Sequence, residues 1–157
     1  MRPKFAIDMN VGRLTTWLRA LGYDTVFENP IDDGDLVELA RADQRIILTK
    51  DTGILARRPI TRGEVDAFLI AGSDWKAWLR QVVIRYQLKN DRVFTRCLQC
   101  NTALEDADAQ RASGSVPARI LQSESQFKYC CHCDQFLWMG GHWRRMMKVI
   151  EEAFKSE

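Results

Sequence analysis

Four cysteines form two Cys-x-x-Cys pairs in the second half of the chain, Cys97 with Cys100 and Cys130 with Cys133. One tight turn carrying such a pair supplies two ligands to Zn²⁺, which prefers a tetrahedral shell of four thiolates in structural sites. The segment 101–129 between the pairs is longer than the usual spacing of a zinc ribbon, but a loop can bridge it. We predict that the four cysteines bind one structural Zn²⁺ in a small C-terminal zinc ribbon.

Other interpretations of the cysteines stay open at this point. The thiols are buried or redox-active in one alternative and joined in two disulfides in another, although two matched pairs seldom arise without a metal. Cys131 is predicted to be a bystander, because its neighbours already have the favourable spacing, whereas His132 and His142 are alternative ligands. Four thiolates leave no open coordination position, so the zinc is expected to be structural and not catalytic.

Aspartates follow the predicted strands of the first half. Asp8 closes the first strand, Asp33 lies in the loop after the second, and Asp51 follows the third. Because the carboxyl ends of parallel strands lie along one edge of a sheet, these carboxylates are expected to converge on one crevice. Asp32, which directly precedes Asp33, and Asp74, which follows the fourth strand, are additional acidic candidates.

Carboxylates that converge in this way repel each other unless a divalent cation neutralises them. Mg²⁺ and Mn²⁺ are hard cations that suit oxygen ligands and retain water molecules. Such an ion activates water and stabilises charge on a phosphodiester under attack. We therefore predict that Asp8, Asp33 and Asp51 are catalytic residues that hold Mg²⁺ or Mn²⁺.

Each aspartate also has a structural explanation. Asp32, Asp33 and Asp74 can cap helices, because a side-chain oxygen before a helix accepts from its unpaired backbone N–H groups. Asp51 can begin the next helix, and Asp8 can bind backbone amides at the end of its strand. The common sheet edge favours a function most strongly for Asp8 and Asp51.

Basic residues lie near the same edge. Lys50, Arg57, Arg58 and Arg62 cluster just after the third strand, and Arg13 comes on the first turn after Asp8. Cleavage of a phosphodiester requires the anionic backbone to be held beside the acidic site, so Arg13, Lys50, Arg57 and Arg58 are predicted to bind backbone phosphates. A solvated charged surface is the alternative. Two tryptophans of the helix predicted after the fourth strand, Trp75 and Trp78, have the spacing of core residues.

The elements that must position these residues alternate between strand and helix. Apolar runs predict strands at 4–7, 25–27, 45–49 and 67–70, and helical periodicity appears between and after them. This alternation predicts an α/β fold with a parallel sheet flanked by helices in residues 1–92. Residues 93–157 are predicted to form the zinc ribbon, with a strand at 93–96, an extended loop at 101–125 and one amphipathic C-terminal helix from residue 143.

Composition limits the classes of protein that fit. The chain has 157 residues, of which 46% are hydrophobic and 28% charged, as in ordinary globular proteins. We predict no membrane-spanning segment, and we expect a cytoplasmic protein with reduced cysteines. The formal net charge of +2 predicts no nucleic-acid partner by itself, so any nucleic-acid surface must come from local clustering of cations.

Motifs along nearly the whole chain resemble one known family. They are Phe5-Ala6-Ile7-Asp8, Gly12-Arg13-Leu14, Trp17-Leu18-Arg19, Leu21-Gly22-Tyr23-Asp24, Ile47-Leu48-Thr49-Lys50-Asp51, Arg96-Cys97-Leu98-Gln99-Cys100-Asn101 and Trp138-Met139-Gly140-Gly141-His142-Trp143. With these motifs the chain resembles the Mut-seven C-terminal RNase domain, a PIN-like nuclease family with an appended zinc ribbon.

This resemblance implies a PIN-like α/β fold, metal-dependent cleavage of RNA, and metal ligands at Asp8, Asp33 and Asp51. The chain departs from the family pattern at a few positions. An aspartate stands near the central acidic position, where PIN nucleases often have glutamate. Asp134 and Gly141 stand where the family often has glycine and serine.

The leading hypothesis is a Mg²⁺- or Mn²⁺-dependent endoribonuclease with a structural zinc ribbon. The alternative is a non-catalytic module that binds RNA or protein, with the contacts made by the ribbon. A thiol redox protein is a third hypothesis. The sequence makes no prediction of the oligomeric state.

Overall fold

The computed structural model describes residues 1–155 and confirms the predicted α/β architecture. A parallel sheet has the strand order β2-β1-β3-β4. Its strands are β1 (Phe5–Ile7), β2 (Thr25–Val26), β3 (Ile46–Thr49) and β4 (Ala67–Leu69). Helices on its two faces are α1 (Leu14–Ala20), α2 (Asp33–Ala42), α3 (Thr52–Leu55), α4 (Arg58–Thr61) and α5 (Trp75–Arg85). A 3₁₀ turn at Met9–Val11 connects β1 to α1.

Both faces of the sheet are covered, because the strands alternate apolar side chains between two hydrophobic clusters. Phe5, Ile7 and Leu48 face a cluster built with α1, α5 and the C-terminal helix. Ala6 and Ile47 face the opposite cluster, which is built with α2 and α3. Strands of parallel sheets are usually buried on both faces and read as continuous apolar runs, as these strands do.

The second half contains an antiparallel sheet in the order β5-β6-β7 and a final helix. The strands are β5 (Glu105–Asp108), β6 (Gln126–Cys130) and β7 (Gln135–Trp138). Two short helices, α6 (Ala109–Ala112) and α7 (Ala118–Ser123), join β5 to β6, and α8 (Gly141–Phe154) follows β7.

Two predictions for this half are wrong. Segment 101–125 is not an extended loop, because it contains β5, α6 and α7. β5 could not be predicted from the sequence, because three of its four side chains are exposed acids. The two helices are too short to show helical periodicity in the sequence. Segment 93–96 is not a strand either. Phe94 has a positive φ of 56°, so the chain bends there, and only Arg96 makes an isolated β-bridge.

Helix α8 belongs to the same hydrophobic cluster as the parallel sheet. Met146, Ile150 and Ala153 are buried there together with Leu79 and Val82 of α5. The division of the chain into two domains at residue 92 stays a prediction. Helix α8, from the second part, packs in the hydrophobic core of the first part. No helix within residues 1–155 is long and apolar enough to cross a membrane.

Candidate functional site

The predicted zinc ligands come together in space. The sulfur atoms of Cys97, Cys100, Cys130 and Cys133 all lie within 4.8 Å of one another. The Cys97–Cys133 and Cys100–Cys130 sulfur separations are 3.9 Å and 3.4 Å. Zn–S bonds of about 2.3 Å in a tetrahedron place sulfurs about 3.8 Å apart, so the group fits this ion. All five cysteines are free thiols, so the two-disulfide alternative does not describe the structure.

Hydrogen bonds surround the sulfur atoms of the cysteine group. The backbone N–H of Cys133 donates to the sulfur of Cys130 over 3.4 Å, and the Cys100 sulfur lies 3.2 Å from the Thr102 hydroxyl. Burial raises the pKa of Cys100, but the hydrogen bonds with Thr102 outweigh it and bring this pKa to about 6. The pKa of Cys130 is raised by burial, and the pKa of Cys133 is raised by its hydrogen bond with Cys100. A lowered pKa favours the thiolate, which is the form that binds metals.

The remaining metal-binding side chains near the ribbon stay outside this group. Cys131, His132 and His142 are exposed. Among residues 1–155, the four cysteines are the only set of three or more Cys, His, Asp or Glu residues whose ligand atoms are this close together. They therefore form a site able to hold a metal such as zinc.

Arg19 of α1 attaches the first cysteine turn to the parallel sheet. Its side chain is only 7% exposed. It donates hydrogen bonds to the carbonyl oxygens of Leu98 (2.9 Å) and Gln99 (2.8 Å), which lie between the first two cysteines. It also donates to the carbonyl oxygen of Thr25 in β2 over 2.9 Å. One buried guanidinium thus fixes the turn that carries two cysteines of the group.

Asp24 forms a second polar link between the two halves. Its Oδ1 accepts from the Asn101 amide and from Arg45, both at 2.7 Å, and the Asn101 side-chain oxygen accepts from the Thr25 N–H over 3.0 Å. Burial raises the pKa of Asp24, but the hydrogen bonds from Arg45 and Asn101 outweigh it and lower the pKa. Arg19, Asp24 and Asn101 belong to the motifs of the family resemblance, but the sequence did not indicate their contacts, because neither residue type nor spacing marks a contact between distant segments.

On the acidic edge, the structure joins Asp8 to Asp51 through Thr49. Asp8 is 7% exposed, and its Oδ2 accepts from the Thr49 hydroxyl over 2.6 Å. The Thr49 hydroxyl oxygen in turn accepts from the backbone N–H of Asp51 over 2.9 Å. The other Asp8 oxygen accepts from the N–H of Met9 over 2.7 Å. Two of the predicted catalytic residues therefore share one hydrogen-bonded chain at the ends of β1 and β3.

Asp51 also begins α3. Its Oδ1 caps the helix by accepting from the N–H of Gly53 over 2.7 Å. Its Oδ2 has no hydrogen bond to any of the residues that the structure describes. One oxygen of Asp51 is thus structural, and the other is available to a ligand.

Asp33 lies apart from this chain. It is the first residue of α2, and its Oδ2 is 3.7 Å from Arg57. The oxygens of Asp8, Asp33 and Asp51 do not form a group within 4.8 Å of one another in residues 1–155. A ligand role for Asp33 stays a prediction.

The additional acidic candidates cap helices. Asp32 accepts from the N–H of Asp35 over 2.9 Å at the start of α2. This backbone hydrogen bond lowers the pKa of Asp32. Asp74 accepts from the N–H groups of Lys76 and Ala77 at the start of α5, both at 3.3 Å. The structural explanation accounts for both carboxylates.

The predicted RNA-binding cations differ in their surroundings. Arg57 is paired with Asp33, and Arg58 is exposed in α4. Arg13 and Lys50 are also exposed and lie over the rings of Trp75 and Trp78. These tryptophans are half-buried, so their predicted core role is only partly correct.

Asn10 is a site residue that the sequence did not indicate. Its side-chain oxygen accepts from the backbone N–H of Lys50 over 3.1 Å, so it holds the turn after β3 against the turn after β1. Its position two residues after Asp8 is the only feature of the sequence that could have indicated this role.

Comparison with known proteins gives one match. The family model described as the Mut7-C RNAse domain matches residues 3–150, which include every aspartate and cysteine considered above. No curated protein matches the chain, and no solved structure does.

Replacement of Arg19 by alanine is expected to weaken metal binding and the fold together. The change leaves carbonyl oxygens of Thr25, Leu98 and Gln99 without their donor in a buried region, at a cost of about 2–4 kcal/mol. We expect Zn²⁺ affinity to fall about tenfold, as for other residues that orient metal ligands. Denaturant unfolding and competition with a chromophoric zinc chelator measure the two effects.

The matched control is Arg62→Ala, because Arg62 is exposed and its side chain makes no hydrogen bond or ion pair with the described residues. Equal zinc affinity in the Arg19 and Arg62 variants would contradict the proposed attachment.

Proposed function

Because the chain belongs to the Mut7-C RNAse domain family, we propose that it is a Mg²⁺- or Mn²⁺-dependent endoribonuclease that hydrolyses RNA phosphodiester bonds. Membership of this family supports a nuclease-like role with RNA as substrate. The single observation that supports the position of the reaction is the chain of hydrogen bonds from Asp8 through Thr49 to Asp51 at the carboxyl edge of the sheet.

The donor atoms at this edge suit a hard divalent cation. Asp8 and Asp51 offer carboxylate oxygens, which Mg²⁺ and Mn²⁺ prefer, and Oδ2 of Asp51 has no protein partner among the described residues. A cation held there would supply Lewis-acid activation of water and phosphate. Asp33, on the neighbouring helix, is proposed as a third ligand that moves away from Arg57 when the ion is present.

The surrounding residues orient these ligands. Thr49 donates to Asp8 and accepts from the N–H of Asp51, so it fixes the carboxylate of Asp8 and the backbone of Asp51 relative to the sheet. Residues that hold metal ligands in this way often matter nearly as much as the ligands. Arg13, Lys50, Arg57 and Arg58 are proposed to contact RNA phosphates and so to place the scissile bond beside Asp8.

The four cysteines are proposed to hold a structural Zn²⁺ with no catalytic role. Their four sulfurs complete a tetrahedral shell, which leaves no position for water or substrate. Reduced thiols of this kind fit a reducing compartment, and we place the protein in the cytoplasm on that ground.

A non-catalytic RNA- or protein-binding module is the second candidate. The separation of Asp33 from Asp8 and Asp51, and its ion pair with Arg57, favour this alternative. Divalent-dependent cleavage of RNA by the unmodified protein distinguishes the two candidates.

Removal of the acidic charges is expected to abolish cleavage. We expect the Asp8→Asn/Asp51→Asn variant to cleave RNA at least about 100-fold more slowly in Mn²⁺, because it lacks the anionic ligands for the cation. Gel analysis of labelled single-stranded and hairpin RNA measures the rate. Asp74→Asn is the matched control, since asparagine caps a helix as well as aspartate and its rate should stay within about twofold. Undiminished cleavage by the double variant would remove the site assignment.

Thr49 supports a separate prediction. Thr49→Val keeps the shape of the side chain but removes the donor to Asp8 and the acceptor for Asp51, so we expect activity to fall about 10–100-fold. Thr49→Ser retains the hydroxyl and should recover most of that loss. Cleavage rates of the two variants under the same conditions check this, and similar rates for valine and serine would show that the hydroxyl has no role.

A further inference from the structure

Two cations beside the acidic edge each lie over a tryptophan ring. Arg13 follows the 3₁₀ turn that Asp8 caps, and its Cζ is 4.4 Å from the centroid of the Trp75 ring. Lys50 stands directly before Asp51, and its Nζ is 5.2 Å from the centroid of the Trp78 ring. Both cations therefore come from the chain segments that position Asp8 and Asp51.

The tryptophans are themselves held in place. Trp75 stacks on Trp17 of α1 with a centroid distance of 4.9 Å and an interplanar angle of 17°. The indole N–H of Trp78 donates to the Gly72 carbonyl oxygen over 2.9 Å, and this oxygen also accepts from Lys50 over 2.8 Å. The rings thus give two long, flexible side chains a defined position at low cost in conformational freedom.

The charges of these two cations are not neutralised. Within the described part of the chain, neither Arg13 nor Lys50 forms an ion pair with a carboxylate. Cations elsewhere do have such partners. These pairs are Arg57–Asp33, Arg111–Glu105 and Lys128–Asp106. Two exposed and unpaired cations next to an acidic site are available to phosphate groups.

We propose that Arg13, Lys50, Trp75 and Trp78 form a platform that binds single-stranded RNA next to Asp8 and Asp51. Arg13 and Lys50 contact backbone phosphates, and the exposed guanidinium of Arg13 stacks against an unpaired base. Trp75 and Trp78 are positioning residues that act through these cations. That the ligand is RNA rests on the proposed function. The inference adds that this RNA is single-stranded.

The chemistry of the platform selects single strands over duplexes. Unpaired bases stack on aromatic rings and on guanidinium planes, whereas the bases of an A-form duplex are stacked inside the helix and out of reach. Stacking of this kind tolerates every base, because each has a π face. We therefore expect weak sequence preference and a clear preference for unpaired RNA.

Binding without cleavage tests the platform. The zinc-loaded full chain is titrated, with no added Mg²⁺ or Mn²⁺, into a fluorescein-labelled oligouridine of about twelve nucleotides and into a hairpin of equal length. Fluorescence anisotropy gives the affinities. We expect Arg13→Ala to weaken oligouridine binding about fivefold and to reduce the slope of log K against log salt by about 0.7.

The role of Trp75 is separated from a merely structural one by a double-mutant cycle. Trp75→Leu should weaken binding about as much as Arg13→Ala, and the double variant should be no weaker than Arg13→Ala alone. Trp75→Phe keeps an aromatic face and should recover most of the affinity. Arg85→Ala is the matched control, because Arg85 lies 5.4 Å from the Tyr86 ring at the opposite end of α5 and should leave binding unchanged.

The outcomes separate this inference from the proposed function. Unchanged oligouridine affinity in Arg13→Ala, additive effects of the two substitutions, or equal affinity for the hairpin would overturn the platform, even if the protein cleaves RNA. Failure of the unmodified chain to bind oligouridine would overturn it as well. If the Arg13 and Trp75 variants lose binding as expected while no cleavage occurs in Mn²⁺, the platform stands and the proposed hydrolysis fails.

Discussion

The parallel hydrogen-bond ladder between β1 and β3 extends one residue beyond the end of β1. Ile7 pairs with Leu48, and the backbone N–H of Asp8 donates to the Leu48 carbonyl oxygen over 3.0 Å. This register places Asp8 beside Thr49, and the Thr49 hydroxyl then joins the side chain of Asp8 to the backbone of Asp51. A shift of the register by one residue would turn Thr49 to the opposite face of the sheet and break its link between Asp8 and Asp51.

The cysteine group depends on the same sheet through a different set of contacts. Arg19 reaches from α1 to the carbonyl oxygens between Cys97 and Cys100, and Asp24, at the start of β2, holds Asn101. Helix α8 adds Ile150 to the core beneath β1 and β3. The ribbon is therefore built into the scaffold that supports the acidic edge, because polar and apolar contacts connect the two halves at separate places.

Features that depend on local sequence were predicted well. The apolar run of β3 and the two Cys-x-x-Cys pairs carry strong signals, and the structure has the strand and brings the sulfurs together. Asp32 and Asp74 have the capping role that was one of their two interpretations. The local sequence could not show which aspartates at the carboxyl edge of the sheet are joined by hydrogen bonds. That depends on the register of the strands and on where α2 begins.

Features that depend on contacts between distant segments were not predictable. Nothing around Arg19 or Asp24 in the sequence indicates the segment that each one binds. Asn101 adopts a positive φ of 71° at the end of the first cysteine turn, where its amide reaches Asp24. Strand β5 lacks the alternation of apolar and polar residues that predicts a strand, because Ala107 is its only half-buried side chain. It is a strand because it pairs with β6, and that pairing is not visible in the sequence.

We propose that Asp8 and Asp51 together hold the cation of the proposed hydrolysis. A crystal of the zinc-loaded protein soaked in Mn²⁺, with anomalous diffraction recorded above and below the manganese edge, tests this directly. We predict a manganese peak with carboxylate oxygens of both Asp8 and Asp51 at about 2.1–2.2 Å, the range for small divalent cations and oxygen ligands. A fully occupied manganese peak elsewhere, with none between these two residues, would contradict the account.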